Sequence, residues 1–351
     1  MSLHDQQPTQ EELGAKLRVL FDLGPLEDMK LLAGGFLCQN FTLCIGPQRF
    51  FLKQYRHKLS QVVHQVKYAE DLFAHNGVPV LAPMRDRFGR SAFFLNRNWY
   101  SLFPYIDREA VSIQALTDIG RETLARQLGE MHHIGKSVKK SIQPLLLWDK
   151  ERFFLEVVEF DMKLEQVDAT EPVHALIRKV VEQKKKFVAQ NTFTAEKADL
   201  PFDTLLHGDF SYQNVFFSPA QDHIDYLFDF EKACRGPRTF ELARALFVDA
   251  FDDGWDDAHL DRAVVFLRSY LRVYPMSFHE FTMGIRMYLV HVAHQLWIEG
   301  KILFRDGKEY VPILRSHSYR VEHLYDDVES FARTLYQRAS LGASIDRGER
   351  A

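Results

Sequence analysis

Strand-forming runs in this chain are gathered before about residue 105, and helical spacing of apolar residues dominates beyond about residue 109. A chain sorted this way buries its strands in one body and its helices in another, the α+β class. MKLLAGG, FTLCIG and RFFLKQY are short apolar runs divided by Gly-rich or Gly-Pro turns, which predict an antiparallel meander. SAFFLNR and WYSLFPYI, behind the polar DRFG turn, supply two further strands. Two helices are expected among them. Thr9 and Glu12 form a capping box ahead of Leu13, Leu17 and Leu20, a helix stopped by Gly24-Pro25. Residues 60–75 carry Val62, Val63, Val66, Ala69 and Phe73 at helical spacing.

Beyond this region the pattern is helical. Ser112 is expected to cap a helix bearing Leu116, Ile119, Leu124, Leu128 and Met131 that ends at Gly135. Residues 148–190 hold two amphipathic stretches separated near Asp168–Pro172; the 205–217 segment follows in strand and loop context, and helices then run to about residue 338. With 351 residues, two bodies are the natural division. The expected organisation is an N-lobe over 1–105, a helical C-lobe over 106–340 and a flexible tail over 341–351.

Composition narrows the function classes. Hydrophobic content of 46% and charged content of 26% are those of an ordinary globular protein. A net charge of −4 gives no electrostatic footprint for nucleic acid, and the KKK run at 184–186 reads as a solvated helix face. Cys38, Cys44 and Cys234 offer neither a CxxC pair nor a disulfide framework, which fits a reducing compartment. The N-terminal MSLHDQQPTQEEL has no signal-peptide pattern, and the apolar stretch 281–300 is interrupted by Arg286, His291, His294 and Gln295. A cytoplasmic protein without membrane or nucleic-acid partners is expected.

Two polar clusters stand in apolar frames. LLHGDFSYQNVFF (205–217) sets His207, Gly208 and Asp209 together with Asn214 at D-x-x-x-x-N spacing, and YLFDFEKA follows with Asp229 and Glu231. Burying such groups unpaired is costly, so they need a reason. A small sheet lobe followed by a helical lobe holding D-x-x-x-x-N and a later Asp is the layout of a kinase, whose chemistry needs positioned groups and neutralised charge. Asp209 is the candidate base at the attacking hydroxyl. Asn214 and Asp229 offer the hard oxygens that suit Mg²⁺. Lys53, ending the strand FFLK, would pair the inner phosphates of ATP, with Glu70 on the next helix holding it by an ion pair. Gly34 and Gly35 in AGGFLCQN would let backbone approach phosphates.

HGDFSYQN followed by FDFE resembles the aminoglycoside phosphotransferase and choline kinase superfamily, which shares the protein-kinase fold. The resemblance runs from about Leu31 to Leu246 through LAGGFLCQNFTL, FFLK, the helix with Glu70, HNGVPVLAP, LFPYI and GPRTFELAR. HNGVPVLAPMRDRFGRSAFF resembles the branch of homoserine kinases and amino-sugar 1-kinases. It implies Asp209 as catalytic base, Asn214 and Asp229 as Mg²⁺ ligands, Lys53 and Glu70 as the nucleotide-side ion pair, and Phe103, Tyr105 and Ile106 in a hinge meeting adenine. ATP is then the co-substrate.

The short segment between Asp229 and the helix expected near Thr239 leaves no room for a peptide-docking platform, and no A-P-E follows. A small-molecule hydroxyl is therefore the expected acceptor, among amino alcohols, hydroxy amino acids, amino sugars and aminoglycosides. An atypical Ser/Thr protein kinase and a catalytically inactive nucleotide-binding protein are the alternatives. His207 is expected to brace the loop by hydrogen bonding. Glu231 is open between a metal and a local hydrogen bond, and Tyr212 and Gln213 between acceptor contact and packing. His291 and His294 lie three apart with no third ligand, so packing is expected of them. The acidic run 249–261 reads as a solvated helix start, with attraction of a cationic acceptor as its rival.

Overall fold

Thr9 and Glu12 form the reciprocal cap that their spacing predicts: Thr9 Oγ1 accepts from the Glu12 N–H at 3.2 Å, and Glu12 Oε2 from the Thr9 N–H at 2.9 Å. The computed structural model describes residues 7–32, 38–56, 58–146, 148–167, 171–190, 199–305, 307–324 and 327–348. Behind the cap, α1 (Gln10–Phe21) lays Leu13, Leu17 and Leu20 against a sheet face built from Phe41, Leu43, Leu52, Phe93, Tyr100 and Leu102. Side chains of this size stabilise the fold by roughly 1.5–3 kcal/mol each when fully buried.

The sheet comprises β1 (Leu26–Leu32), β2 (Cys38–Ile45) and β3 (Gln48–Tyr55), then, after α2 (Ser60–His75), β4 (Phe93–Leu95) and β5 (Asn98–Pro104). Its order is β1-β2-β3-β5-β4, with every neighbour antiparallel. Gly46, at φ 56°, supplies the positive dihedral of the tight β2–β3 hairpin. β3 is the central strand, and Lys53 on it stands opposite Asn40 on β2 and Ser101 on β5.

The chain divides into two units, Met1–Glu109 with Asp225–Ala233, and Ala110–Ile224 with Cys234–Ala351. The first boundary falls four residues beyond the expected 105. The return of 225–233 to the first unit, which takes Asp229 with it, was not expected. Its cause is local bonding. The Leu227 N–H donates to the Pro79 carbonyl at 2.7 Å, and the Leu81 N–H to the Leu227 carbonyl at 2.8 Å. Gln65 Nε2 donates to the Ala233 carbonyl at 2.8 Å, and the Phe230 ring lies 5.7 Å from Phe73 on α2.

The second unit is mostly helical: α3 (Asp118–Lys136), α4 (Lys150–Leu164), α5 (Pro172–Gln190), short strands β6 (Thr204–Leu206) and β7 (Val215–Phe217), and, after the boundary strand β8 (Ile224–Leu227), β9 (Cys234–Gly236). Then come α6 (Arg238–Phe251), α7 (Asp257–Val273), α8 (Phe278–Ala293), α9 (Trp297–Arg305), α10 (Val311–Tyr319) and α11 (Val328–Gly348). The mixed architecture, a five-stranded antiparallel sheet in one unit and a helical second unit, is the expected α+β class. Gly135 lets α3 lie against β6, since a Cβ there would stand 2.3 Å from the Leu205 carbonyl oxygen. That contact seats the strand leading into His207.

Three local expectations need correction. The helix expected after Ser112 starts at Thr117, whose Oγ1 accepts the Gly120 N–H at 3.1 Å, while Ser112 Oγ only closes a turn at Ala115. Lys184, read as solvated, is fully buried: its ammonium donates to Glu299 and, at 2.6 Å, to the Gln295 carbonyl. α5 is amphipathic, and Lys184 falls on its inner face beside Ile177, Val180, Val181 and Val188. Residues 341–348, expected as a flexible tail, continue α11, whose Ala332, Leu335 and Ala339 are buried. Among the described residues no helix is long and apolar enough to cross a membrane.

Candidate active site

In the first unit the site is a knot of charge around Lys53. Its ammonium donates to Asp229 Oδ1 and lies 3.4 Å from Glu231 Oε2. Burial alone would push Lys53 down, but the charges of Asp229 and Glu231 outweigh it and hold the ammonium above its ordinary value. Asp229 sits in the left-handed region at φ 70°, a conformation costly for most residues and more readily taken by Asp or Asn. Glu231 Oε2 also accepts from the Cys38 thiol at 2.6 Å, and burial pushes that thiol up, so it stays a protonated donor.

Glu70 is elsewhere engaged. Both of its carboxylate oxygens accept from Lys67, at 2.9 and 2.8 Å, one turn earlier on the buried face of α2. The Lys67 ammonium lies 5.1 Å from the Tyr55 ring centre and 5.0 Å from that of Phe103. Burial pushes Lys67 down and Glu70 up. The expected Lys53–Glu70 pair is thus replaced by Lys53–Asp229/Glu231 and Lys67–Glu70, because Lys67 satisfies Glu70 from within its own helix. Phe103 is buried facing Lys67, and Tyr105 is covered by the Arg49 guanidinium at 3.8 Å; Ile106 is half-buried. Gly34 and Gly35 lie outside the described residues.

In the second unit the loop after β6 is held from beneath. Gly208 takes φ 86°, and the His207 and Gly208 N–H groups both donate to the buried Glu241 carboxylate of α6, the first at 3.0 Å. His132 Nε2 donates to the same carboxylate at 3.0 Å, while its Nδ1 lies 2.8 Å from the Tyr270 hydroxyl. Burial lowers His132, leaving it a neutral imidazole that still donates. Burial alone would raise Glu241; the His132 bond and the Gly208 N–H reverse this and keep it ionised. His207 Nδ1 accepts the Asp209 N–H at 3.2 Å, the bracing role expected of it.

Asp209 Oδ1 accepts from Arg244 Nη2, and Arg244 Nη1 reaches the Phe210 carbonyl at 3.1 Å. Asn214 Nδ2 donates to the Asp209 carbonyl at 2.8 Å. An amide tied by its nitrogen leaves its oxygen as an acceptor, the donor type a hard divalent cation takes. In the other unit, Asp229 Oδ2 is not occupied by Lys53 and its side chain is 30% exposed. The donor chemistry of both residues therefore fits Mg²⁺.

A sequence model of the phosphotransferase enzyme family (APH) matches residues 28–274, well over half of the chain. The chain belongs to that family. No match was found among curated proteins. The phosphotransferase resembles several solved structures. An amicoumacin kinase in complex with AMP-PNP and Ca²⁺ is 12% identical over 92% of this chain and 94% of its own, with a TM-score of 0.62. A microcompartment-associated aminopropanol kinase is 13% identical over 90% and 98%, at 0.61. An aminoglycoside phosphotransferase from Alicyclobacillus acidocaldarius is 14% identical over 96% and 98%, at 0.59. At such identities these likenesses establish the fold.

Sequence reasoning left three site residues of the phosphotransferase unassigned: His132, Glu241 and Arg244. A signal existed for two of them, since Glu241 and Arg244 stand one turn apart in the otherwise apolar FELARALF of α6. The acidic run is more interior than a solvated helix start. Asp249 is buried and its Oδ1 accepts the Tyr212 N–H at 3.1 Å; burial pushes its carboxyl up to about 8. Asp252 accepts from Arg320 at 2.8 Å and Asp253 from Arg262 at 3.1 Å, while Asp256 caps α7. Gln213 Nε2 donates to the Tyr212 hydroxyl at 3.1 Å. His294 Nδ1 donates to the Val290 carbonyl at 2.8 Å, with its ring 5.4 Å from Phe153, and His291 lies edge-on to Phe240. His291 Nε2 also lies 2.5 Å from Gln295 Nε2, and no group of three or more metal-ligating side chains occurs among the described residues.

Proposed function

We propose that the phosphotransferase is an ATP-dependent kinase of a small-molecule hydroxyl. The observation that carries this is the Asn214 amide, bonded through nitrogen to the Asp209 carbonyl so that its oxygen is left as an acceptor of the kind a hard cation takes. In this reading Asp209 orients the acceptor hydroxyl and takes its proton, and Asn214 and Asp229 would hold Mg²⁺, which gathers the triphosphate oxygens. Lys53 offsets phosphate charge. The nucleotide complexes named for related structures, ADP with a spectinomycin phosphotransferase and AMP-PNP with the amicoumacin kinase, support ATP as co-substrate.

A protein acceptor is disfavoured because α6 begins at Arg238, leaving residues 230–237 for all that follows Asp229. The names of related structures, an aminopropanol kinase and an ethanolamine kinase among them, make amine-bearing alcohols the first acceptors to try. The test is a coupled ADP-release screen over hydroxyl compounds with Asp209→Asn as the blank. The variant should turn over about 10²–10⁴-fold more slowly while binding Mg-ATP as the wild type does. Wild-type-like turnover in it removes Asp209 from the mechanism, and Mg-ATP bound but consumed with no acceptor supports the inactive-binder reading instead.

A further inference from the structure

The resemblance gives the lysine-holding role to a glutamate on the helix after the lysine strand, which here is Glu70. The structure gives that glutamate a different partner. Glu70 is buried with both oxygens bonded to Lys67, and Lys53 is not among its hydrogen-bond or ion-pair partners. We propose that Glu231 is the positioning residue for Lys53 and that Cys38 fixes the orientation of Glu231. The proposal rests on the nucleotide-binding reading above.

Three observations place Glu231 in the role. Its Oε2 lies 3.4 Å from the Lys53 ammonium, and both side chains are only 9% exposed, so the attraction is little screened by water. The same oxygen accepts the Cys38 thiol at 2.6 Å, at the start of β2, which ties the carboxylate to the strand beside the one bearing Lys53. Its backbone is held independently, since Lys58 donates to the Glu231 carbonyl at 3.0 Å and the preceding Phe230 packs on Phe73. Asp229 is nearer to Lys53, yet it is more exposed and is also the residue suited to a metal. A lysine whose nearest carboxylate is shared with a cation needs a second anion to keep its place, and among the described residues Glu231 is the one within ion-pair distance. Lys67–Glu70, enclosed by Tyr55 and Phe103, is then a core pair rather than part of the nucleotide apparatus.

Titration calorimetry with Mg-ADP on Glu231→Gln, Glu70→Gln, Lys53→Met and the Lys53→Met/Glu231→Gln double variant, together with melting temperatures, tests this. Glu231→Gln should weaken Mg-ADP roughly 10-fold, the size of a lost charge-assisted contact. In the Lys53→Met background the same change should have no further effect, because Glu231 acts through Lys53. Glu70→Gln should lower the melting temperature and leave Mg-ADP affinity within 2-fold, on the order of error for a site that does not touch it. Cys38→Ala should weaken Mg-ADP less than Glu231→Gln does. Equal effects of Glu231→Gln with and without Lys53, or a Glu70→Gln loss matching that of Glu231→Gln, overturn the assignment while leaving nucleotide binding in place. Wild-type protein that does not bind Mg-ADP overturns the nucleotide reading itself, and the assignment with it.

Discussion

Truncating Glu241 to alanine tests whether the loop that follows β6 is held from below. In the folded chain this carboxylate receives the His207 and Gly208 N–H groups and His132 Nε2, and it is 1% exposed. Removing it strands three donors, two of them buried and that of Gly208 half-buried, each costing about 1–3 kcal/mol when left without an acceptor. Their sum is an upper bound, because water entering the vacated space can serve some of them. We therefore expect a loss of about 3–5 kcal/mol, a large part of the roughly 5–15 kcal/mol that holds a typical domain together. Glu241→Gln keeps the volume but offers one acceptor oxygen and turns an NH₂ toward donors, so it should lose about 2–3 kcal/mol. Urea unfolding at pH 7 with linear extrapolation reads both, provided the slope is unchanged. The carboxylate lies below its usual value of 4.5, so its contribution is present above 4.5 and disappears as pH falls through the lower folded value. The gap between wild type and Glu241→Gln should accordingly narrow in acid. An alanine variant within 1 kcal/mol of wild type (on the order of one hydrogen bond) would refute the view that this carboxylate organises the loop.

Arg244→Met should lower turnover roughly 10–100-fold with little change in ATP affinity, since it frees the Asp209 carboxylate from its orienting partner, and Arg244→Lys should recover only part because it cannot bond Asp209 and the Phe210 carbonyl as a fork. Asp249→Asn should remove a fall in stability with rising pH: the folded carboxyl is raised from 3.8 to about 8, so the folded state holds the extra proton across that interval and wild type alone loses stability through it, as melting temperatures between pH 5 and 9 will read. Lys184→Met should cost about 3–5 kcal/mol by leaving the buried Glu299 carboxyl without its ammonium partner, and adding Glu299→Leu should restore most of it in urea titrations.

What could be read from the sequence follows the range of the interactions involved. The Thr9–Glu12 cap, the bounds of α2 and the sheet's strands rest on neighbours within a few positions, and the structure has them nearly where the pattern does. The same local logic misplaced the start of α3, where Ser112 and Thr117 are equally good caps by type and the backbone hydrogen bonds chose the second. The candidate residues could be picked out by type and spacing, because Asp209, Asn214 and Asp229 are polar groups in apolar frames. Their partnerships could not. Lys53 and Glu70 occupy suitable elements, but Lys67 stands one turn from Glu70 and competes for it at short range, which leaves Lys53 to Asp229 and Glu231, far along the chain. Lys184 failed for a related reason. Within KKK the three side chains are chemically identical, and only the inward face of α5 and the distant Glu299 distinguish the first from the others. A charged residue at an apolar helical position therefore implies a polar or ionic partner from elsewhere in the chain, and for Glu241, Arg244 and Lys184 that partner appears only when the fold brings the two together.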